Sequence, residues 1–193
     1  MTLFLTKRNT KKRILAIETN KEALIMKVWP LLLVFACPLA WRPSPGPHVN
    51  NKRVTGVDTP AVRAVLRAVN ALRAKGCYCP EGEWFEPAKP LRIDERLNAA
   101  AQRHAEDMQQ RRFFSHTSPE GSCPGERAHH AGYPWIYIGE NIAWGYPTPE
   151  SVVEGWQRSA GHCANMMNPR FQHIGVGRAG TYWVQLLGAP KNP

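Results

Sequence analysis

Several features are missing from this sequence, and each absence excludes a class of protein. No apolar run reaches the roughly 20 residues of a membrane-spanning helix; residues 28–36, VWPLLLVFA, fall well short. There is no internal repeat and no low-complexity tract, which removes repeat arrays and compositionally biased chains. The nucleophile-elbow motif of serine hydrolases is absent. So are the paired C-x-x-C spacings of structural zinc, since Cys77 and Cys79 form a C-x-C while Cys123 and Cys163 stand alone. Acidic residues are scarce, 15 against 25 Lys and Arg, for a formal charge of +10. That excess looks like a nucleic-acid footprint, but residues 1–53 hold ten of the basic residues against two Glu, leaving only +2 on residues 54–193. The body of the chain carries no compositional case for nucleic acid.

What is present begins with a leader. Lys27, the apolar residues 28–36 and the Pro-rich PLAWRPSPGP have the shape of a secretory signal, with Met26-Lys27 as its natural start. Residues 1–41 are read as this targeting leader, 42–58 as a Pro-rich linker and 59–190 as the folded domain. Two exits from the leader are open. Residues 34–36 before Cys37 resemble a loose bacterial lipobox, which would make Cys37 a lipidated first residue and attach the protein to a membrane; the alternative is plain signal-peptidase cleavage nearby. Both predict an extracytoplasmic protein. In that oxidising setting Cys77, Cys79, Cys123 and Cys163 predict two disulfides, with Cys77 and Cys79 each reaching Cys123 or Cys163.

The folded part opens with Thr59-Pro60, a helix start, followed by Val62, Val65, Leu66, Val69 and Leu72 at helical spacing until Gly76. Arg63, Arg67 and Asn70 fall on the opposite, solvated face. Asp94 caps a second helix whose stripe is Leu97, Ala101, His104 and Met108, with His104 expected as a hydrogen-bonded core residue. His116 then follows two aromatics in a turn-rich loop, a common setting for functional residues. Residues 126–131 suggest a short helix with His129 and His130 exposed. Thr148-Pro149 repeats the helix-start signal, Val152, Val153 and Trp156 form the buried face, and Gly161 is expected to end that helix just before His162. Residues 174–177 and 182–187 read as strands. The sum is an α+β layered domain with a small antiparallel sheet.

The segment 138–144, IGENIAW, carries the chemistry. If it is extended, Ile138, Glu140, Ile142 and Trp144 share one face, and a carboxylate among apolar side chains costs several kcal/mol unless paired. The sequence therefore predicts cationic, metal or hydrogen-bonding partners for Glu140, with His162 and His116 as the nearest candidates.

The ordered motifs FSHTSPEG, GENIAWG, VVEGWQRSAGHCANMMNP, IGVG and YWVQLLG together resemble the CAP superfamily, which includes cysteine-rich secretory proteins, antigen 5 and plant pathogenesis-related proteins. The likeness covers about residues 59–188 and is greatest to the short secreted bacterial branch. It implies an α-β-α sandwich with a central, mainly antiparallel sheet between helical layers. It also implies a cleft with two histidines and two acidic residues. By motif these fall on His116, Glu140 and His162, while the second acidic position, after Trp156, reads Gln157-Arg158-Ser159, leaving Ser159 in a lesser role. His116 and His162 are thus candidate ligands for Zn²⁺ or another divalent cation, with Glu140 orienting a histidine from behind or lining the cleft. Three functions are open. One is a non-catalytic domain taking a metal and a small-molecule, lipid or envelope ligand. Another is a metal-dependent hydrolase of peptides or envelope polymers in which Glu140 is catalytic, and the third is a purely structural polar network.

Overall fold

The structure, a computed structural model, describes residues 59–191. The leader, the linker and Cys37 lie outside the described residues. Helix α1 (Pro60–Lys75) starts where expected: Thr59 Oγ1 accepts the Val62 N–H at 3.2 Å, and Pro60 fills the first helical position. Gly76 ends it at a φ of 70° that only glycine adopts without strain. A two-stranded ribbon follows, β1 (Cys77–Tyr78) against β2 (Trp84–Phe85), and then β3 (Arg92–Ile93). Asp94 caps α2 (Glu95–Arg111), which leads to α3 (Pro124–His130) and β4 (Trp135–Trp144). The chain continues through α4 (Pro149–Gln157), α5 (Ala160–Met167), β5 (His173–Ala179) and β6 (Tyr182–Pro190).

The four-stranded sheet has the order β3-β5-β6-β4, with β5/β6 and β4/β6 antiparallel and only the short β3/β5 pair parallel. Because β5 and β6 are buried on both faces, the sheet is sandwiched. Val62, Val65, Val69, Val152, Trp156 and Met166 of α1, α4 and α5 pack with Ile174, Val176 and Trp183 on one side. Leu97, Ala101, Ala105 and Met108 of α2 pack with Ile142, Val184 and Leu186 on the other. This is the α-β-α sandwich that the motifs imply.

The IGVG stretch owes its glycines to α2. A Cβ at Gly175 would lie 2.1 Å from the Leu97 carbonyl carbon, and one at Gly177 2.3 Å from that of Ala101. The helix can therefore lie directly on the strand. Its side chains also continue the pairing that β3 begins: Asn98 Oδ1 accepts the Val176 N–H at 2.8 Å and Gln102 Oε1 accepts that of Arg178 at 2.9 Å.

Two expectations for α1 and α4 are corrected. Asn70 is not on a solvated face: it clamps Leu91 through both the N–H and the C=O, at 2.8 and 3.0 Å. Nor does Gly161 end a helix. The chain breaks earlier, after Gln157, and restarts with Ser159 as the N-cap of α5, so His162 sits in the first turn of a new helix. The fully buried Arg73 ties α1 to this region by donating to the carbonyls of Lys89, Met166, Asn168 and Phe171, and burial pulls its pKa down to about 10.

Candidate functional site

Glu140 lies in the middle of β4, opposite Leu186 in the register, with its side chain wholly shielded from solvent. The partners that a buried carboxylate requires are both there. His116 Nδ1 donates to Oε1 at 2.8 Å and Arg127 Nη2 donates to Oε2 at 2.7 Å. Burial opposes ionisation, but the hydrogen bond from His116 and the charge of Arg127 override it and hold the carboxyl below the usual carboxylate range. An ionised carboxylate only accepts, so the proton of this contact sits on His116 Nδ1.

The loop that carries His116 is built around the same arginine. Arg127, from α3, also donates to the His116 carbonyl at 3.0 Å and to the Ser122 carbonyl at 2.7 Å. Capping by Glu126, whose carboxylate accepts the Cys123 N–H at 3.0 Å, fixes the start of α3 and with it the arginine. From α2, His104 Nε2 bonds the Ser115 carbonyl at 2.9 Å, so the expectation of a hydrogen-bonded core histidine holds, in the added role of anchoring the neighbour of His116. Its Nδ1 is buried without a partner. Burial pushes the imidazole pKa down, and the nearby Arg127 charge adds to this against the opposing pull of Glu140.

His162 arrives from the other side of the edge strand. The Glu140 and Asn141 side chains point to opposite faces of β4, and Asn141 Nδ2 donates to the His162 carbonyl at 3.1 Å and to Gln185 Oε1, its partner across the sheet, at 2.8 Å. Asn165 Nδ2 donates to Asn141 Oδ1 at 2.9 Å and reaches the Glu140 carbonyl at 3.4 Å, while Trp156 Nε1 reaches that of Ile142 at 3.4 Å. Helices α4 and α5 thus close the free edge of β4 and position His162 beside it. Burial lowers the His162 pKa, and a charge on His116 lowers it further. Among the described residues no hydrogen bond or ion pair joins Glu140 to His162. Ser159 N-caps α5 without a side-chain capping bond, and Glu154 is a surface residue paired with Arg158.

Among the described residues, the one group of three metal-ligating atoms within 4.8 Å of one another is that of Cys77, Cys79 and Cys163. Glu140 is therefore not a third ligand beside the imidazoles, because both of its oxygens are taken. What remains is a pair of imidazoles, one oriented by a carboxylate in the manner of a metal-bound histidine. Two imidazoles alone would not make a closed four-ligand structural zinc; only an open divalent site completed by water or ligand would suit them.

Sulfur chemistry departs from expectation. Cys79 and Cys163 form a disulfide, tying the loop after α1 to α5, and Cys77 is a buried free thiol. Cys123 is disulfide-bonded independently of that bridge. Cys77 and Cys79 sit two apart in extended backbone, facing the same way toward one Cys163, and only one of them can bond it.

Arg127, Asn141, Asn165 and Gln185 were not singled out from the sequence. Asn141 and Gln185 did leave a signal, as amide side chains within strands whose neighbours are apolar. Arg127, beside two exposed histidines, left none.

A family model described as CAP, cysteine-rich secretory protein family, matches residues 66–186. The uncharacterized protein YkwD of Bacillus subtilis (strain 168) is 43% identical over 99 residues, which is 50% of this chain and 38% of that protein. The uncharacterized membrane protein YlbC of the same organism is 28% identical over 137 residues, 71% of this chain and 37% of that protein. The chain thus spans under two-fifths of the length of these relatives. Among solved structures, an extracellular SCP-domain protein from Bacillus anthracis str. Ames superposes with a TM-score of 0.60 at 25% identity, covering 68% of this chain and 40% of that one. An outer surface protein from Borrelia burgdorferi gives 0.58 at 25% identity, covering 67% and 92%. With the family model spanning most of the described sandwich, the chain belongs to the CAP superfamily, the cysteine-rich secretory protein family.

Proposed function

We propose that this is an extracytoplasmic binding domain whose His116 and His162 hold a divalent cation, and through it a small-molecule, lipid or envelope ligand, without catalysing its hydrolysis. The observation that carries this reading is the state of Glu140. Both of its oxygens are engaged, by His116 at 2.8 Å and Arg127 at 2.7 Å, and its pKa is held low. A general base must accept a proton from a reacting water and needs a pKa nearer neutrality. Glu140 is instead built to fix one tautomer of His116. The second acidic position of the family is filled by Gln157-Arg158-Ser159, so no other carboxylate takes that role.

His116 and His162 would be the protein ligands, restrained by their backbone and ring contacts. When bound, the ion would supply an attachment point for an oxygen-bearing group. Phe114, half exposed two residues before His116, offers apolar surface beside it. The secretory-type leader, the disulfide and the extracellular or outer-surface description of the two structural relatives support export. No described helix is long and apolar enough to cross a membrane.

Hydrolysis is tested on casein and on purified cell wall with Zn²⁺ present, using wild type and Glu140→Gln. The proposal expects no turnover by either protein. Turnover by wild type that Glu140→Gln abolishes would replace this reading with the hydrolase.

A further inference from the structure

We propose that Cys163 exchanges its disulfide partner, passing between Cys79 and Cys77, so that helix α5 stays tethered while its attachment point on the loop changes. The three sulfurs form one cluster: Cys79 and Cys163 are bonded, Cys77 Sγ lies 4.0 Å from Cys163 Sγ, and all three atoms fall within 4.8 Å of one another. Extended backbone from Cys77 to Cys79 turns Tyr78 out to solvent, 69% exposed, and both cysteines inward. Met167, Leu72 and Phe85 wall the cluster in, so the neighbouring thiol is the nucleophile placed to reach this bridge.

The step balances without an external oxidant. The Cys77 thiol gives its proton to solvent, and its thiolate forms a bond to Cys163 Sγ. The Cys79–Cys163 bond breaks with its electron pair going to Cys79 Sγ, which takes up a proton. One thiol and one disulfide exist before and after. The two bridges span 84 and 86 residues, so closing either loop costs the same chain entropy and side-chain packing decides between them. His162 immediately precedes Cys163, so both isomers keep the helix that carries it anchored. Burial raises the Cys77 pKa, which makes the exchange slow near neutrality and faster as pH rises.

The test uses the oxidised full chain, held at about pH 7 or about pH 9, quenched with acid and alkylated with N-ethylmaleimide under denaturing conditions. Chymotrypsin then cuts after Tyr78, which separates Cys77 from Cys79 for mass spectrometry. The expected result is a Cys77–Cys163 peptide pair, with the alkyl label on Cys79, that forms several-fold faster at the higher pH. A Cys79→Ser variant oxidised with a glutathione couple should form the Cys77–Cys163 bridge within a monomer, while Cys77→Ser keeps Cys79–Cys163. Label found only on Cys77 in wild type at both pH values overturns the proposal, as do two free thiols in folded Cys79→Ser. Should Cys79→Ser not fold, the wild-type measurement decides alone.

Discussion

Replacing Arg127 by Met should turn the buried Glu140 carboxylate from a paired charge into a destabilising one. The side chain is about as long as that of arginine and fills much of the same space, but Glu140, with no solvent exposure of its side chain, would keep only His116 as a partner. Removing one member of a buried pair costs about 3–5 kcal/mol, because the remaining ion has neither water nor counter-charge. Two carbonyls, of His116 and Ser122, would lose a donor as well. For a domain of this size that corresponds to a drop in Tm on the order of 10 °C or more. The sign of the pH dependence gives the sharper check. In wild type the Glu140 pKa is depressed, so its contribution is present above the unfolded carboxylate pKa and lost as pH falls through the folded value. Without Arg127, burial prevails and lifts the pKa above the unfolded one; the folded state then takes up a proton as pH falls, and the deficit shrinks. Urea unfolding followed by tryptophan fluorescence should show the full deficit at about pH 7 and a clearly smaller one at about pH 4. An equal deficit at both pH values, or one under about 1 kcal/mol at neutrality, would show that Arg127 does not hold the Glu140 charge.

Three further substitutions probe the buried histidine and the close approach of helix to strand. His104 is neutral in the fold with its pKa lowered by burial, so its stability contribution is complete above the unfolded histidine pKa and lost as pH falls through the lowered folded one; His104→Gln should flatten the loss of stability below about pH 6.5, and an unchanged slope would count against the assignment. Gly175→Ala drives a Cβ into the backbone of α2 at Leu97 and should cost about 2 kcal/mol or more in thermal melts, whereas Gly161→Ala, with nothing within 4 Å of the added carbon, should cost nothing.

Local signals carried most of the architecture. Thr59-Pro60, Asp94 and Thr148-Pro149 start helices because capping chemistry is decided within a few residues. The same locality explains the boundary misplaced at Gly161. Gly161 looks like a terminator, but a small residue after a cap is equally a helix start, and the true break lies at Arg158-Ser159. Glu140 was legible as a residue in need of partners because its cost of burial depends only on its own strand. Which cation would answer it was not, since Arg127 meets it across α3 and β4. Nothing in a short helix bearing Arg and two exposed His distinguishes an anchor from a solvated charge. The sulfur set shows a similar limit. Spacing alone says that Cys77 and Cys79 each reach a distant cysteine, and only the fold brings both to Cys163.

In the proposed cation site, Glu140 holds His116 in the Nδ1-protonated form, and His116 and His162 take the divalent ion. Long-range ¹H–¹⁵N spectra of the histidine rings, recorded while Zn²⁺ is titrated in, read that state directly. The expected result is a protonated Nδ1 on His116 that persists through the titration, with one-to-one shifts at His116 Nε2 and on the His162 ring that vanish when either histidine is replaced by Ala. A His116 ring protonated on Nε2, or zinc shifts undiminished in the double variant, would contradict it.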